Sequence, residues 1–130
     1  MNAETPLHDY LVLSRGHWDK DKPKEQIDTA ITDFYAWLNR HIEAGRMRTG
    51  SRLGMDHASV SKAGVITDGP FGEAKEVVGG YWFVSAASLR EAADLLSHSP
   101  TLLCGLHYEV RPLDPLLCTA SDLTNETPPA

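Results

Sequence analysis

Two short stretches of this chain are apolar on both faces of the strands they would form, and they constrain the fold more than anything else in it. They are Tyr10–Ser14 (YLVLS) and the run Tyr81, Trp82, Phe83, Val84 inside Val77–Ser85. A strand that is dry on both faces belongs inside a layered structure, with a neighbour on each edge and something packed over each surface. The stretch Leu106–Arg111 instead alternates, Leu106, Tyr108 and Val110 against His107, Glu109 and Arg111. One apolar and one polar face read as an edge strand.

The segments between these strands carry helical spacing. After Pro23, a good first-turn residue, Ile27, Ile31, Phe34, Leu38 and Ile42 recur with Ala30, Trp37 and His41 beside them. Glu25 and Asp28 sit near the positive end of the implied dipole, Arg40 near the negative end, and Gly45 supplies the stop. Ser88-Leu89-Arg90-Glu91 is a capping box, with Leu89, Ala92, Ala93 and Leu96 as the stripe behind it and Pro100 as its end. Thr49–Leu53 reads as a short strand. His57–Lys62 and Val65–Thr67 read as a hairpin turning at Lys62-Ala63-Gly64, followed by an Asp68-Gly69-Pro70 turn.

The order is strand, helix, strand, hairpin, strand, helix, strand. It predicts an α+β, ferredoxin-like split βαβ domain with an inserted β-hairpin, the first and third principal strands side by side at the sheet centre. Residues 1–117 are read as the single domain and residues 118–130, polar and Pro-rich, as a flexible tail. Two helices cover one face of a four-stranded sheet. The other face would expose Tyr10, Val12, Tyr81 and Phe83, or alternatively Leu11, Leu13, Trp82 and Val84. A patch of that size calls for a cover, and a second copy of the sheet is the simplest one, so a homodimer is expected.

Charge and composition narrow the function classes. A net charge of −6 argues against nucleic acid as a partner. The cluster Arg40, Arg46, Arg48 and Arg52 reads either as cations at a helix C-terminus or as an anion site. No apolar run approaches the roughly 18 residues of a membrane span, and residues 1–9 have no apolar signal core, so a cytoplasmic protein without a membrane partner is expected. Cys104 and Cys118 read as reduced thiols. The six histidines show no ligand spacing, so neither a metal nor another cofactor is expected.

Asp68-Gly69-Pro70-Phe71, then Glu73, Lys75 and Glu76, then Gly79-Gly80-Tyr81, spell the block DGPF-x-E-x-K-E-x-x-GGY. On that block, the YLVLS strand and the closing Tyr108-Glu109-Val110-Arg111-Pro112 segment, the chain resembles YCII-related proteins of the subgroup named for its DGPF motif. The resemblance implies a ferredoxin-like fold paired into a dimeric α+β barrel. It implies less about activity. Some relatives in the wider group resemble enzymes that use a His–Asp pair, one degrading a chlorinated aromatic; others in the DGPF subgroup resemble accessory partners of alternative sigma factors. The family's His is expected in the middle of the first helix, where this chain carries Phe34; His41 lies about two turns further on.

The residues that could carry chemistry follow from these readings. Asp68 either accepts hydrogen bonds within its own turn or stands at a cleft mouth as a general base. Glu73, Lys75 and Glu76 are either surface charge or part of a site beside Gly79-Gly80, where a bulge, a ligand or another backbone comes close. Arg52 or Lys75 would pair an anionic group of a small organic ligand, with His57, Phe71 and Tyr81 also bordering the cleft. Tyr10, Trp37, Tyr81, Trp82 and Phe83 form either core and interface or the walls of a pocket. Two functions fit: a small-molecule site at the DGPF loop, for binding or simple proton-transfer or elimination chemistry, or a non-enzymatic module for a regulatory protein such as a sigma factor.

Overall fold

The computed structural model describes residues 6–67 and 77–130. Its elements run β1 (His8–Arg15), α1 (Lys24–Glu43), β2 (Met47–Arg52), β3 (Ala58–Ser61), β4 (Gly64–Thr67), β5 (Val78–Ala86), α2 (Leu89–Leu96), a 3-10 helix (Pro100–Cys104) and β6 (His107–Pro112). The main sheet has the order β2-β5-β1-β6, antiparallel throughout, and β3 and β4 form a separate two-stranded sheet. This is the ferredoxin-like order, with the two doubly apolar strands at the centre and β6 at an edge.

Antiparallel register decides which side chains share a face. Tyr10 stands opposite Val84, and Val12 opposite Trp82, so both pairs point to the helices; Leu11 stands opposite Phe83 and Leu13 opposite Tyr81 on the other side. The uncovered face therefore joins Leu11 and Leu13 with Tyr81 and Phe83, a pairing that neither grouping expected from the sequence contained. Polar groups surround this patch. Arg48 lies over the Phe83 ring at 5.3 Å and 3.5 Å from Asp9, whose carboxylate also accepts from Ser85 Oγ. Arg15 donates to Glu109 at 2.8 Å, and Arg111 joins the same carboxylate.

The helix-facing side holds the core: Tyr10, Val12, Met47, Trp82, Val84 and Ala86 from the sheet, Trp37 and Leu38 from α1, Ala92 and Leu96 from α2. Val12 and Val84 have no exposed surface. At roughly 1.5–3 kcal/mol per fully buried large apolar side chain, this row supplies much of the driving force for folding. Phe34 meets Trp82 edge-on at 5.4 Å, which anchors α1 over the sheet.

The ends of the elements refine the expectations. Pro23 is the N-cap of α1 rather than a residue of its first turn, its carbonyl accepting from Gln26 and Ile27 N–H; Gly45 follows the C-cap with φ 78°. Ser88 caps α2 by accepting from Glu91 N–H at 3.1 Å. Leu89 is exposed, so the buried stripe of α2 rests on Ala92 and Leu96. Pro100 does not terminate α2, which ends at Leu96, but opens the 3-10 helix, where a missing N–H costs nothing. Residues 113–130 form no helix or strand. No helix among the described residues is long and apolar enough to cross a membrane.

Candidate functional site

Successive rows of side chains cross the helix-facing side of the sheet, and their volumes change abruptly from one end to the other. The first row is Met47, Val84, Tyr10 and Pro112; the second carries Trp82, Val12 and Val110. The third is Arg52, Gly80, Ser14 and Tyr108. Its two central positions hold small side chains, a hydrogen and a hydroxymethyl group. Nothing from the sheet fills the space beneath α1 there, and a partly open cavity of about 510 Å³ results.

The two strands that floor this cavity need glycine for a second reason. A Cβ on Gly80 would lie 2.9 Å from the Ser51 carbonyl oxygen, and one on Gly50 would lie within 3 Å of the Tyr81 carbonyl. β2 and β5 therefore approach closely where the β2 register is interrupted between Arg48 and Ser51. The expectation for paired glycines is met at Gly80 by another backbone, while a Cβ at Gly79 would meet nothing.

The walls come from four other places. α1 contributes Ile31, Phe34, Tyr35 and Leu38. His17 and Trp18 follow Gly16, whose φ of 92° turns the chain sharply after β1; Asp19 N–H then donates to the Cys104 carbonyl and holds this loop against the 3-10 helix. Thr101, Leu106 and Tyr108 close the β6 side. There the Tyr108 hydroxyl lies 2.5 Å from Ser99 Oγ and 2.5 Å from Thr101 Oγ1, and its ring meets Trp82 edge-on at 5.0 Å. Burial pushes the Tyr108 phenol above its ordinary pKa, against the opposing effect of the two hydroxyl contacts. It stays neutral at physiological pH and can offer or accept a hydrogen bond.

Arg52 stands at the opposite end of the same row, exposed, and makes no ion pair among the described residues. The lining thus combines a mostly apolar, aromatic body with a cation at one rim and a cluster of hydroxyls at the other. This is the usual composition of a small-molecule site. No group of three or more His, Cys, Asp or Glu among the described residues could hold a metal ion.

Of the residues singled out in the sequence, Arg52, Gly79, Gly80, Tyr81 and Trp82 line the cavity, whereas Tyr10 and Trp37 belong to the core. His57 does not; it is exposed, with Nδ1 3.4 Å from the Met55 carbonyl oxygen. Asp68, Phe71, Glu73, Lys75 and Glu76 lie outside the described residues. Phe34, at the position where a family His is expected, is in the wall. His41 points elsewhere: its Nδ1 accepts from Arg46 Nε at 2.9 Å and its ring meets Trp37. Burial, then Arg46, Arg40 and His98, lower the His41 pKa and favour the neutral ring. The sequence reading missed Ser14, His17, Trp18, Tyr35, Thr101 and Tyr108 as lining residues. The signal that would have found Ser14 and Tyr108 is the register, since both fall in the row of Gly80.

Comparison with known proteins places the chain in a family. A model of the YCII-related domain matches residues 11–114. An uncharacterised protein of Rhizobium meliloti (strain 1021) is 34% identical over 99 residues, covering 69% of this chain and 77% of that protein. Among solved structures, the hydroxynitrile lyase of Passiflora edulis is similar with a TM-score of 0.38 and 14% identity, covering 88% of this chain and 100% of the lyase chain. A likeness that loose says nothing about chemistry here. The family match takes in most of β1, the other three strands of the main sheet and both helices, and on that ground the chain belongs to the YCII-related family.

Proposed function

We propose that this YCII-related protein, as a member of the DGPF-motif subgroup, binds a small organic molecule in the cavity beneath α1, either for binding alone or for a simple proton-transfer or elimination step. The observation that carries the reading is the Ser14–Gly80 pair, which opens one end of an otherwise filled layer into a space of about 510 Å³. Volumes of this order are typical of ligand sites. A second observation favours the DGPF segment as its border. Val77, the residue just after that segment, accepts from Gly16 N–H at 3.2 Å, and Gly16 is part of the lining. Asp68 is the base this reading nominates, with Phe71, Glu73, Lys75 and Glu76 beside it.

The test is a thermal-shift screen of organic acids, phenols and nucleotides on wild type, Ser14→Leu and Asp68→Asn. A ligand at a hundredfold excess over its Kd adds about 2.7 kcal/mol, enough to raise Tm by several degrees. A compound that stabilises wild type but not Ser14→Leu supports the cavity, and loss of the shift in Asp68→Asn ties the DGPF segment to it. A panel that shifts none of the proteins removes the reading.

The alternative is a non-enzymatic interaction module, for example an accessory partner of an alternative sigma factor. It draws on the β3–β4 hairpin, where Val60 and Val65 are exposed and stand opposite each other, and on the exposed Met55 in the loop before it. Binding of a purified alternative sigma factor that is lost in Val60→Ser/Val65→Ser would favour it. We also propose a homodimer through the uncovered face of Leu11, Leu13, Tyr81 and Phe83. Sedimentation at twice the chain mass of 14.3 kDa is the expected result, and a monomer at micromolar concentration refutes the pairing.

A further inference from the structure

We infer that the ligand of this cavity is an aromatic anion, an aryl carboxylate, lying across the third row of the sheet with its acid group on Arg52 and its far end toward the Tyr108 hydroxyl cluster. The inference rests on the reading of the cavity as a small-molecule site and adds the class of molecule that fits it.

Charge is the first argument. Arg52 supplies a permanent cation among the described lining residues. Arg15, Arg48, Arg90 and Arg111 each have a carboxylate partner among the described residues; Arg40, Arg46 and Arg52 have none, and of these three Arg52 is the one that lines the cavity. A guanidinium left unpaired at a cavity rim offers a planar fork that matches a carboxylate.

Geometry is the second. Arg52 and Tyr108 are separated by β5 and β1, three strand spacings or on the order of 14 Å between backbones. Once both side chains reach inward, that span suits a body of one or two rings. Gly80 and Ser14 leave the floor between them bare, and Phe34 and Trp82, edge-on to each other at 5.4 Å, also line the space. At the inner end, Tyr108, Ser99 and Thr101 share three protons among three oxygens, and Ser99 and Thr101 are almost fully buried. If each hydroxyl donates around that ring, each retains an acceptor lone pair, which suits a ligand hydroxyl more than a second anion.

The experiment compares 4-hydroxybenzoate, benzoate and the neutral isostere 4-hydroxybenzamide by calorimetry on wild type, Arg52→Met and Tyr108→Phe. The expected result is that 4-hydroxybenzoate binds wild type about tenfold or more tightly than the amide, as a charge-assisted pair at an exposed rim would give. Arg52→Met should reduce that preference to near unity, and Tyr108→Phe should reduce the preference for 4-hydroxybenzoate over benzoate. Arg52 is exposed, so its replacement leaves folding intact. Equal binding of acid and amide to wild type, or a preference that survives in Arg52→Met, overturns the anion assignment and leaves the cavity as a site for neutral molecules. Failure of the two acids overturns the aryl carboxylate assignment, and failure of all three aryl compounds together with an inert screening panel overturns the site itself.

Discussion

At one end of the helix-facing side of the sheet, Tyr10, Val12, Met47, Trp82 and Val84 fill the layer completely; at the other, the row Arg52–Gly80–Ser14–Tyr108 leaves it open. The same two central strands build both ends, and a shift of two residues along β1 and β5 separates them. Selection for stability alone would carry the bulky pattern to the end of the strands, because every buried methylene adds roughly 0.8 kcal/mol. The open end forgoes that gain and places polar groups at its two edges. The contrast teaches that one sheet surface can be divided into a part that is filled and holds the fold and a part that is left open, and that the division is set by register.

The contrast breaks most visibly at Trp82. Trp82→Ala is expected to destabilise the chain by about 3–5 kcal/mol, read as a fall in the urea midpoint, because the indole is 4% exposed and supports both Phe34 and Tyr108. A loss under about 1 kcal/mol would mean the filled end is not the core. Gly80→Ala tests the floor. Its Cβ would meet the Ser51 carbonyl at 2.9 Å and Arg52 Cα at 3.3 Å, both backbone, so β2 must move at a cost of about 1–3 kcal/mol.

Tyr108→Phe sharpens the boundary between the two ends. It removes a hydroxyl shared by two buried partners, a loss of about 1 kcal/mol at neutral pH. Its alkaline behaviour carries a sign. The folded phenol has a pKa above the ordinary 10.0, so above that pH the unfolded chain releases the proton first and binds fewer. Stability therefore falls as pH rises from the ordinary value and levels off above the folded one, and Tyr108→Phe should lack that contribution in an alkaline denaturation series. The smallest effect belongs to Ser14→Leu. A larger apolar side chain placed in open space should change stability by less than about 1 kcal/mol while abolishing ligand-induced stabilisation.

Much of the fold was legible because the hydrophobic periods were. The doubly apolar YLVLS and YWFV stretches fall at the sheet centre, the stripe through Phe34 and Leu38 covers them, and the Ser88 capping box opens α2 as expected. The uncovered face was misjudged because antiparallel pairing matches Leu11 with Phe83 and Leu13 with Tyr81, and no single-strand pattern contains that information. The site was legible only in fragments. Gly79-Gly80 and Arg52 signalled it, but Ser14 read as a strand end and Tyr108 as an ordinary core residue of an edge strand. They become site residues only when three strands are set in register. Trp18 and His17 depend on the turn at Gly16 and on the contact between Asp19 and Cys104, which no local spacing encodes. The DGPF residues, prominent in the sequence, lie outside the described residues.

The most direct test of the central claim is an amide NMR titration of the full chain with a cocktail of small aromatic acids and phenols. The account predicts shifts concentrated at Gly16, Gly50, Gly80 and Tyr81, the backbone that borders the open row, with the Leu11 and Phe83 amides little changed. Shifts confined to the uncovered face around Leu11 and Phe83, or none at saturating concentration, would contradict it.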